Sequence, residues 1–152
     1  MKKTVSLVLV LSMIAAVVIG FGTAENAQTL SNTEKALALI NTFATGDTDT
    51  ARNLLADGYI QHNLAYGTGA DAFIGSVEYL ASADVKTTVN NIRAFEDGDK
   101  VFLQTIYNFA GAGEQVAFDI FRFDENGKIA EHWDVMETIA DQSTWQNQNG
   151  KF

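Results

Sequence analysis

The pattern of hydrophobic and polar positions changes from a helical period to a strand period near residue 85. Before that point, apolar residues recur at spacings of three and four, which place them on one face of a helix. After it they alternate one by one, as in strands that bury a single face. Helices first and strands later are typical of an α+β fold. We therefore expect a layer of helices on one face of an antiparallel sheet.

Three helices are predicted in the first half of the chain. The first begins at Ser31, where Glu34 completes a capping box, and it ends at Gly46. The other elements of this half are a helix at 47–55, a short β-like run at 59–63 and a helix at 70–80.

Four strands are predicted in the second half, because turn signals rich in Gly, Asn and Asp separate four alternating runs. The runs cover 85–95, 100–109, 115–123 and 128–136. Their short connections predict an antiparallel meander. Residues 138–152 are polar, and we predict a C-terminal tail there with Trp145 and Phe152 as possible anchors.

The last two strands form a β-hairpin whose register follows from its turn, Asn126-Gly127. This dipeptide is the strongest local signal for a two-residue hairpin loop. The predicted pairs are Glu125 with Lys128, Arg122 with Glu131, Phe121 with His132, and Asp119 with Asp134. The alternative is a three-residue turn with Gly127 in a bulge, which slips the pairing by one residue and separates the two aspartates.

Asp119, His132 and Asp134 share a mostly apolar face of this hairpin. Like charges directly opposed destabilise a sheet, so the cluster points to a ligand. At a Cβ separation of ~5 Å and an effective dielectric near 20, the repulsion is on the order of 3 kcal/mol. If the pocket excludes water, we expect one carboxyl to hold a proton near neutral pH. The ionised carboxylate, or a neutral histidine, can then take a proton from carbon next to a carbonyl.

Two other interpretations of these residues remain open. His132 and Asp119 could form a structural pair, as many Asp-His pairs do. Two histidines and two aspartates could in principle hold a metal. The histidines at 62 and 132 lie on distant segments without helical ligand spacing, so we predict neither a metal nor a cofactor.

The N-terminus has the pattern of a secretory signal: Lys2-Lys3, an apolar run from Val5 to Phe21, and small residues that place cleavage after Ala24. The alternative is an uncleaved anchor, since the run is nearly long enough to span a membrane. We predict a signal peptide at 1–24, export to the periplasm or the outside, and no stable membrane contact after cleavage. The absence of Cys excludes disulfides and thiolate metal sites.

Charge excludes a further class of partners. Loss of Lys2 and Lys3 with the signal leaves 8 basic and 19 acidic residues, a net charge of −11. Nucleic acids and anionic lipids bind to patches of Lys and Arg, so we predict no nucleic-acid partner.

Four segments carry a family resemblance: 59–63 (Tyr-Ile-Gln-His-Asn), the loop 67–69 with the helix behind it, 119–122 (Asp-Ile-Phe-Arg) and 127–134 (Gly-Lys-Ile-Ala-Glu-His-Trp-Asp). Together they resemble the SnoaL-like polyketide cyclase family, within the superfamily named after nuclear transport factor 2. The resemblance covers nearly all of 30–137, so we predict one such domain at 25–137. It implies a cone-shaped α+β barrel, in which N-terminal helices and a curved antiparallel sheet enclose a hydrophobic pocket.

The resemblance also implies roles for four residues. In the family, the aspartate matching Asp134 is the expected acid/base of an aldol ring closure. Similarity to ketosteroid isomerase places Asp119 where a carboxylic acid donates a hydrogen bond to an enolate oxygen, and His62 near that enzyme's base. We therefore predict Asp134 as base, His132 orienting it or sharing its proton, Asp119 as acid, and His62 on the opposite wall. Leu64 stands where the family usually has Pro, in the loop that borders the pocket mouth.

Two classes of function follow. The first is binding of a small, mostly apolar carbonyl compound with acid/base catalysis of cyclisation or isomerisation. The second is a non-catalytic exported module of the same fold, which binds an apolar ligand or pairs through its sheet as a homodimer. A fold alone does not choose between them.

Overall fold

A computed structural model of the protein describes residues 30–152. The helices are α1 Asn32–Thr45, α2 Thr48–Leu54 and α3 Ala70–Ser82, and the strands are β1 Leu55–Gln61, β2 Thr88–Asp97, β3 Lys100–Asn108, β4 Gln115–Phe123 and β5 Ile129–Thr138. Two single-turn 3-10 helices lie at Phe109–Gly111 and Gln142–Thr144. The predicted signal peptide, 1–24, lies outside the described residues. Between 30 and 152, no helix has the length and apolar character needed to cross a membrane.

The first helix has the predicted caps at both ends. The Ser31 hydroxyl accepts a hydrogen bond from the backbone of Glu34, and the Glu34 carboxylate accepts one from the backbone of Ser31. Gly46 ends the helix in the left-handed conformation, with φ of 73°. A Cβ at this position would also lie 2.8 Å from the Cβ of Ala81 on α3. Glycine is therefore required by both the backbone turn and the packing of α1 on α3.

The sheet has the order β1-β5-β4-β3-β2, with neighbours hydrogen-bonded. Strands β2 to β5 form the predicted antiparallel meander. The first strand differs from prediction, because it starts at Leu55, runs parallel to β5 and opens with Leu55 opposite Ile129. Both of these side chains are buried, so this contact draws the chain into the sheet before the predicted start at 59. The predicted α+β class is confirmed.

The predicted register of the β4-β5 hairpin is confirmed along the body of the two strands. Asp119 lies opposite Asp134, Phe121 opposite His132, and Arg122 opposite Glu131. The register then shifts, and Phe123 pairs with Ile129, so Ala130 is an extra residue on β5. Because of this bulge, Ile129 takes the buried position that alternation would assign to Ala130.

The turn itself differs from the predicted two-residue loop. The Asp124 amide donates to the Lys128 carbonyl at 2.8 Å, so Lys128 pairs with Asp124 rather than with Glu125. The Asp124 carboxylate accepts hydrogen bonds from the amides of Asn126 and Lys128, and Gly127 is left-handed with φ of 68°. The turn therefore slips the pairing by one residue, and the bulge at Ala130 restores it.

The three helices cover one face of the sheet, which we call the inner face. Its core includes Leu39 and Ile40 of α1, Val77 of α3 and Phe121 of β4. The opposite, outer face carries exposed apolar side chains, namely Phe95, Phe102, Phe118 and Val135. Apolar burial on the inner face thus joins helices and sheet into a single core.

The C-terminal tail is held at its end by contacts with the sheet. The Gln104 side-chain amide donates to the Lys151 carbonyl at 2.8 Å, and the Lys151 ammonium lies 2.6 Å from the Glu137 carboxylate. Of the predicted anchors, Trp145 donates its indole N–H to the Ala140 carbonyl within the tail, and Phe152 is half exposed.

Candidate active site

A cavity of about 620 Å³, including its open mouth, lies between the helices and the inner face. Most of its walls are apolar or aromatic. They include Phe43 of α1, Phe73 of α3, Tyr107 of β3, Phe109 and Phe121. Ser76 lies on the helix side, whereas the charged and amide side chains of the lining and its histidine come from the strands and gather on one wall: Gln61, Asp119, His132 and Asp134. A mostly apolar cavity with a few convergent polar groups is the usual form of a small-molecule site.

The hairpin register brings Asp119, His132 and Asp134 together at this wall. One possible ligand atom from each residue lies within 4.8 Å of the others. Asp119 and His132 are buried, at 4% and 7% exposure, whereas Asp134 is partly exposed. Three of the four predicted site residues therefore form one cluster facing the cavity.

Hydrogen bonds around Gln61 determine which nitrogen of His132 carries the proton. The Gln61 side-chain oxygen accepts from the Asn63 amide at 2.9 Å, so the Gln61 nitrogen faces His132 Nδ1, 3.0 Å away. Nδ1 is then the acceptor, and in a neutral ring the proton lies on Nε2. His132 Nε2 donates it to Asp119 Oδ1 at 3.2 Å. Both ring nitrogens are engaged by protein.

Asp119 accepts hydrogen bonds on both carboxylate oxygens. Oδ1 accepts from His132, and Oδ2 accepts from the Tyr107 hydroxyl at 3.0 Å. Burial, followed by the charge of Asp119, raises the pKa of Tyr107 well above its ordinary value, so the hydroxyl keeps its proton. A carboxylate with two such donors is satisfied as an anion, which compensates for its burial.

Asp134 is bound on one oxygen only. Its Oδ1 accepts from the side-chain nitrogen of Asn63 at 2.7 Å, and the Asn63 oxygen accepts from the Ala65 amide at 2.9 Å. The hydrogen bond from the Ala65 backbone fixes the orientation of the Asn63 side-chain amide. Within residues 30–152, no protein donor bonds Asp134 Oδ2. Asp134 therefore has a lone pair available to a ligand in the cavity.

Two tyrosines stand close to Asp134. Burial, followed by the charges of Asp134 and Asp119, raises the pKa of Tyr59 well above its ordinary value. Burial and then the charge of Asp134 raise the pKa of Tyr66 in the same direction. Tyr59 accepts from the Gln61 side chain at 3.2 Å, which leaves its own proton for another acceptor. Both hydroxyls remain protonated donors throughout the range in which proteins are stable.

His62, the fourth predicted site residue, does not line the cavity, and its predicted position on the opposite wall is wrong. Its ring stacks on Trp133, with centroids 4.5 Å apart and planes 6° from parallel, and its Nε2 lies 3.5 Å from Glu131. Parallel pairing places Gln61 beside His132. Side chains alternate along β1 and the residue after it, so Gln61 faces inward and His62 faces the outer side.

Four residues that hold the cluster were not predicted from the sequence, namely Tyr59, Gln61, Asn63 and Tyr107. For the first three a signal was present, since alternation places residues 59, 61 and 63 on one face, opposite to 60 and 62. Tyr107 lies on the inner face of β3 with Leu103 and Thr105, but its reach to Asp119 depends on the packing of the folded sheet.

Asp119, His132 and Asp134 also have the residue types of a metal site. The His132 nitrogen that faces Asp119 carries a proton rather than a lone pair, because Gln61 donates to the other nitrogen. The observed hydrogen bonds therefore suit an Asp-His pair better than a set of metal ligands.

Comparison with known proteins agrees with this fold. The family model of the SnoaL-like domain matches residues 36–132, more than half of the chain. A search of curated protein sequences finds no match.

Solved structures resemble the chain over about two thirds of its length. An NTF2-like protein of unknown function from Cytophaga hutchinsonii has a TM-score of 0.61 at 16% identity and covers 71% of this chain and 91% of its own. IdmH of Streptomyces antibioticus, a proposed polyketide cyclase, has a TM-score of 0.57 at 18% identity, with coverage of 71% and 93%. An LEH-like epoxide hydrolase of M. tuberculosis has a TM-score of 0.61 at 18% identity, with coverage of 70% and 82%. At such identities, these similarities show the fold alone.

Proposed function

The chain belongs to the SnoaL-like domain family, and on that premise we propose that it binds a small, mostly apolar carbonyl compound and catalyses proton transfer at the carbon beside the carbonyl. The observation that carries this proposal is the Asp134 carboxylate, which faces an apolar, aromatic cavity and has one oxygen that no donor among residues 30–152 bonds. A general base must reach its proton directly, and of the clustered groups Asp134 has the free lone pair.

In the proposed reaction, Asp134 Oδ2 takes the proton from the α-carbon, and the electron pair of the broken C–H bond moves into an enolate. The Tyr59 hydroxyl, with Tyr66 beside it, donates a hydrogen bond to the enolate oxygen. The enolate then either regains the proton at another position, which is isomerisation, or its carbon attacks a second carbonyl, which is aldol cyclisation. In the second case, the proton held by Asp134 neutralises the new alkoxide.

The remaining polar residues position these groups. Asp119 was predicted to be the acid that binds the enolate oxygen, but both of its oxygens already accept hydrogen bonds. We assign it instead to the orientation of His132, which together with Gln61 and Asn63 keeps the wall around Asp134 fixed. The role of oxygen donor passes to Tyr59, whose proton has no acceptor assigned to it in the described residues.

The relatives support this proposal without deciding the reaction. The S. antibioticus structure, as a proposed polyketide cyclase, favours ring closure, while the M. tuberculosis epoxide hydrolase carries different chemistry on the same fold. The non-catalytic alternative uses the same cavity and the same hydrogen-bond donors, but without turnover.

The test is deuterium exchange into 2-tetralone, a small apolar ketone, followed by NMR in heavy water. The wild-type protein should accelerate exchange at the α-carbon. Asp134→Asn should lower that rate by roughly 10²–10⁴-fold while it retains folding and ketone binding, because the amide oxygen still accepts from Asn63.

Asp71→Asn is the matched control, since it makes the same carboxylate-to-amide change on the exposed surface of α3. It should exchange at the wild-type rate. Undiminished exchange in the Asp134 variant would exclude Asp134 as the base. If the wild-type protein binds the ketone but does not accelerate exchange, the result contradicts catalysis and supports the non-catalytic alternative.

A further inference from the structure

An open groove lies next to the cavity at Tyr66. We call it the outer groove. One side is formed by α3, through Gly75, Ser76 and Tyr79, and the other by the turn that follows β3, through Phe109, Ala110 and Ala112. Tyr66, Ser76 and Phe109 line both the cavity and the groove. The two spaces therefore adjoin each other, and Tyr66 belongs to the wall of both.

The turn side of the outer groove is preformed. Ala110 has φ of 49°, the only positive value for a non-glycine residue in the described chain. Its amide donates to the Thr87 hydroxyl at 3.2 Å, and a Cβ on Gly111 would lie 2.8 Å from Val85. Surrounding contacts thus hold an unfavourable backbone in place. Such strain is found where a particular shape serves binding or catalysis.

The lining of the outer groove carries no charged side chain among the described residues. This is unusual for a chain with a net charge of −9. The side chains are small, aliphatic or aromatic, and Tyr79 is 73% exposed. The chemistry suits an uncharged, apolar chain or ring.

We propose that the ligand is a two-part molecule. Its carbonyl head lies beside Asp134 in the cavity, and an uncharged apolar arm passes Tyr66 and lies in the outer groove. This inference rests on the proposed function, because it defines the substrate class of that same site. The shared wall of the two spaces argues for one ligand that occupies both.

Gly75 offers a direct probe of the arm. It lies exposed on α3 in ordinary helical backbone, and a Cβ there would meet no atom within 4 Å. A leucine at this position would extend into the outer groove without displacing protein atoms. Gly58 on β1 is equally open and lies away from the groove, so Gly58→Leu is the matched control.

The experiment compares the binding of acetophenone, butyrophenone and hexanophenone by calorimetry. In the wild-type protein, each methylene that enters the groove should tighten binding about fourfold. Gly75→Leu should bind acetophenone as the wild type does and lose the additional affinity for hexanophenone. Gly58→Leu should follow the wild-type series.

Each other result overturns the inference in a recognisable way. If Gly75→Leu keeps the gain with chain length, or weakens all three ketones equally, no arm lies in the outer groove, and the proposed function is unaffected. If the folded wild-type protein binds none of the three ketones, the proposed ligand class is wrong and the inference falls with it. Thermal melting verifies that each variant is folded.

Discussion

At the scale of single residues, the two opposed aspartates differ in how they are bound. Asp119 accepts from Tyr107 and His132 and is buried, whereas Asp134 accepts from Asn63 alone and reaches the cavity. Two identical side chains in one cross-strand pair can therefore have two roles, one in positioning and one in proton transfer.

Removing the Tyr107 hydroxyl should expose the cost of burying Asp119. Tyr107→Phe leaves Asp119 Oδ2 without a donor, and we expect the free energy of unfolding to fall by about 1–3 kcal/mol. Tyr59→Phe is the comparison. Among the described residues, the Tyr59 hydroxyl accepts a hydrogen bond from Gln61, which also bonds His132, so Tyr59→Phe should lower the free energy of unfolding by less than Tyr107→Phe does. Urea unfolding measures both, and equal losses would contradict the assignment of Tyr107 as the donor that satisfies Asp119.

Residue positions were predictable where they depended on alternation within an antiparallel pair, as for Asp119 opposite Asp134. The prediction that His62, rather than Gln61, faces the cavity was wrong. Which of the two faces inward depends on how β1 aligns with β5, and Gln61 and His132 lie 71 residues apart in the sequence. The local sequence of residues 59–63 does not indicate how β1 aligns with β5. The reach of Tyr107 to Asp119 likewise depends on side-chain packing in the folded sheet.

At the scale of elements, end signals predicted the helices well because caps are local. Asp47 is the N-cap of α2, and its carboxylate accepts from the amide of Thr50 at 2.9 Å and from its hydroxyl at 2.7 Å. The parallel strand β1 had no such signal, since its pairing with β5 is formed by distant parts of the chain.

The cap of α2 should make stability depend on pH in acid. The backbone and hydroxyl hydrogen bonds from Thr50 lower the pKa of Asp47 below its ordinary value of 3.8. An acid whose pKa is lower in the folded state contributes its full stabilisation at pH values above its unfolded-state pKa. This contribution is lost as the pH falls through its folded-state pKa. Asp47→Ala should therefore cost about 0.5–2 kcal/mol at neutral pH, and the difference from wild type should shrink below pH 3.8.

Asp47→Asn serves as the control for that titration, because asparagine caps a helix about as well as aspartate without ionising. It should keep most of the neutral-pH stability. Denaturant unfolding at several pH values measures all three proteins. A constant difference between wild type and Asp47→Ala down to pH 2 would contradict the role of the ionised cap.

At the scale of the whole molecule, the C-terminal tail covers part of the outer face of the sheet through Gln104 and Glu137, and an apolar part of that face stays exposed. Phe95, Phe102 and Phe118 are each at least 40% exposed there, and Val135 lies beside Phe118 across the hairpin. Monomeric proteins seldom expose large contiguous apolar patches. The predicted homodimer would cover this face. Contact there would bring apolar side chains together rather than the acidic ones that give each chain its net charge of −9.

We expect the protein to be a dimer at micromolar concentration and Phe118→Glu to be a monomer, because the substitution places two further negative charges in the contact. Analytical ultracentrifugation distinguishes the two states. Tyr79→Glu, at an exposed aromatic residue on α3, is the control and should stay dimeric. A wild-type monomer at all concentrations would exclude self-association through this face.

The extra residue at Ala130 offsets the shift in register that the hairpin turn introduces, so the pairing of Asp119 with Asp134 depends on turn and bulge together. The turn offsets the two strands by one position, and the bulge cancels that offset before Arg122 and Glu131, so Asp119 still meets Asp134. The bulge therefore restores the register of the hairpin within the hairpin itself. A loop of different length can be grafted at 124–128 only if the combined offset of loop and bulge is preserved. A one-residue loop change at 124–128 that moves the pairing by one position needs a compensating change at Ala130, or Asp119 and Asp134 no longer share a face.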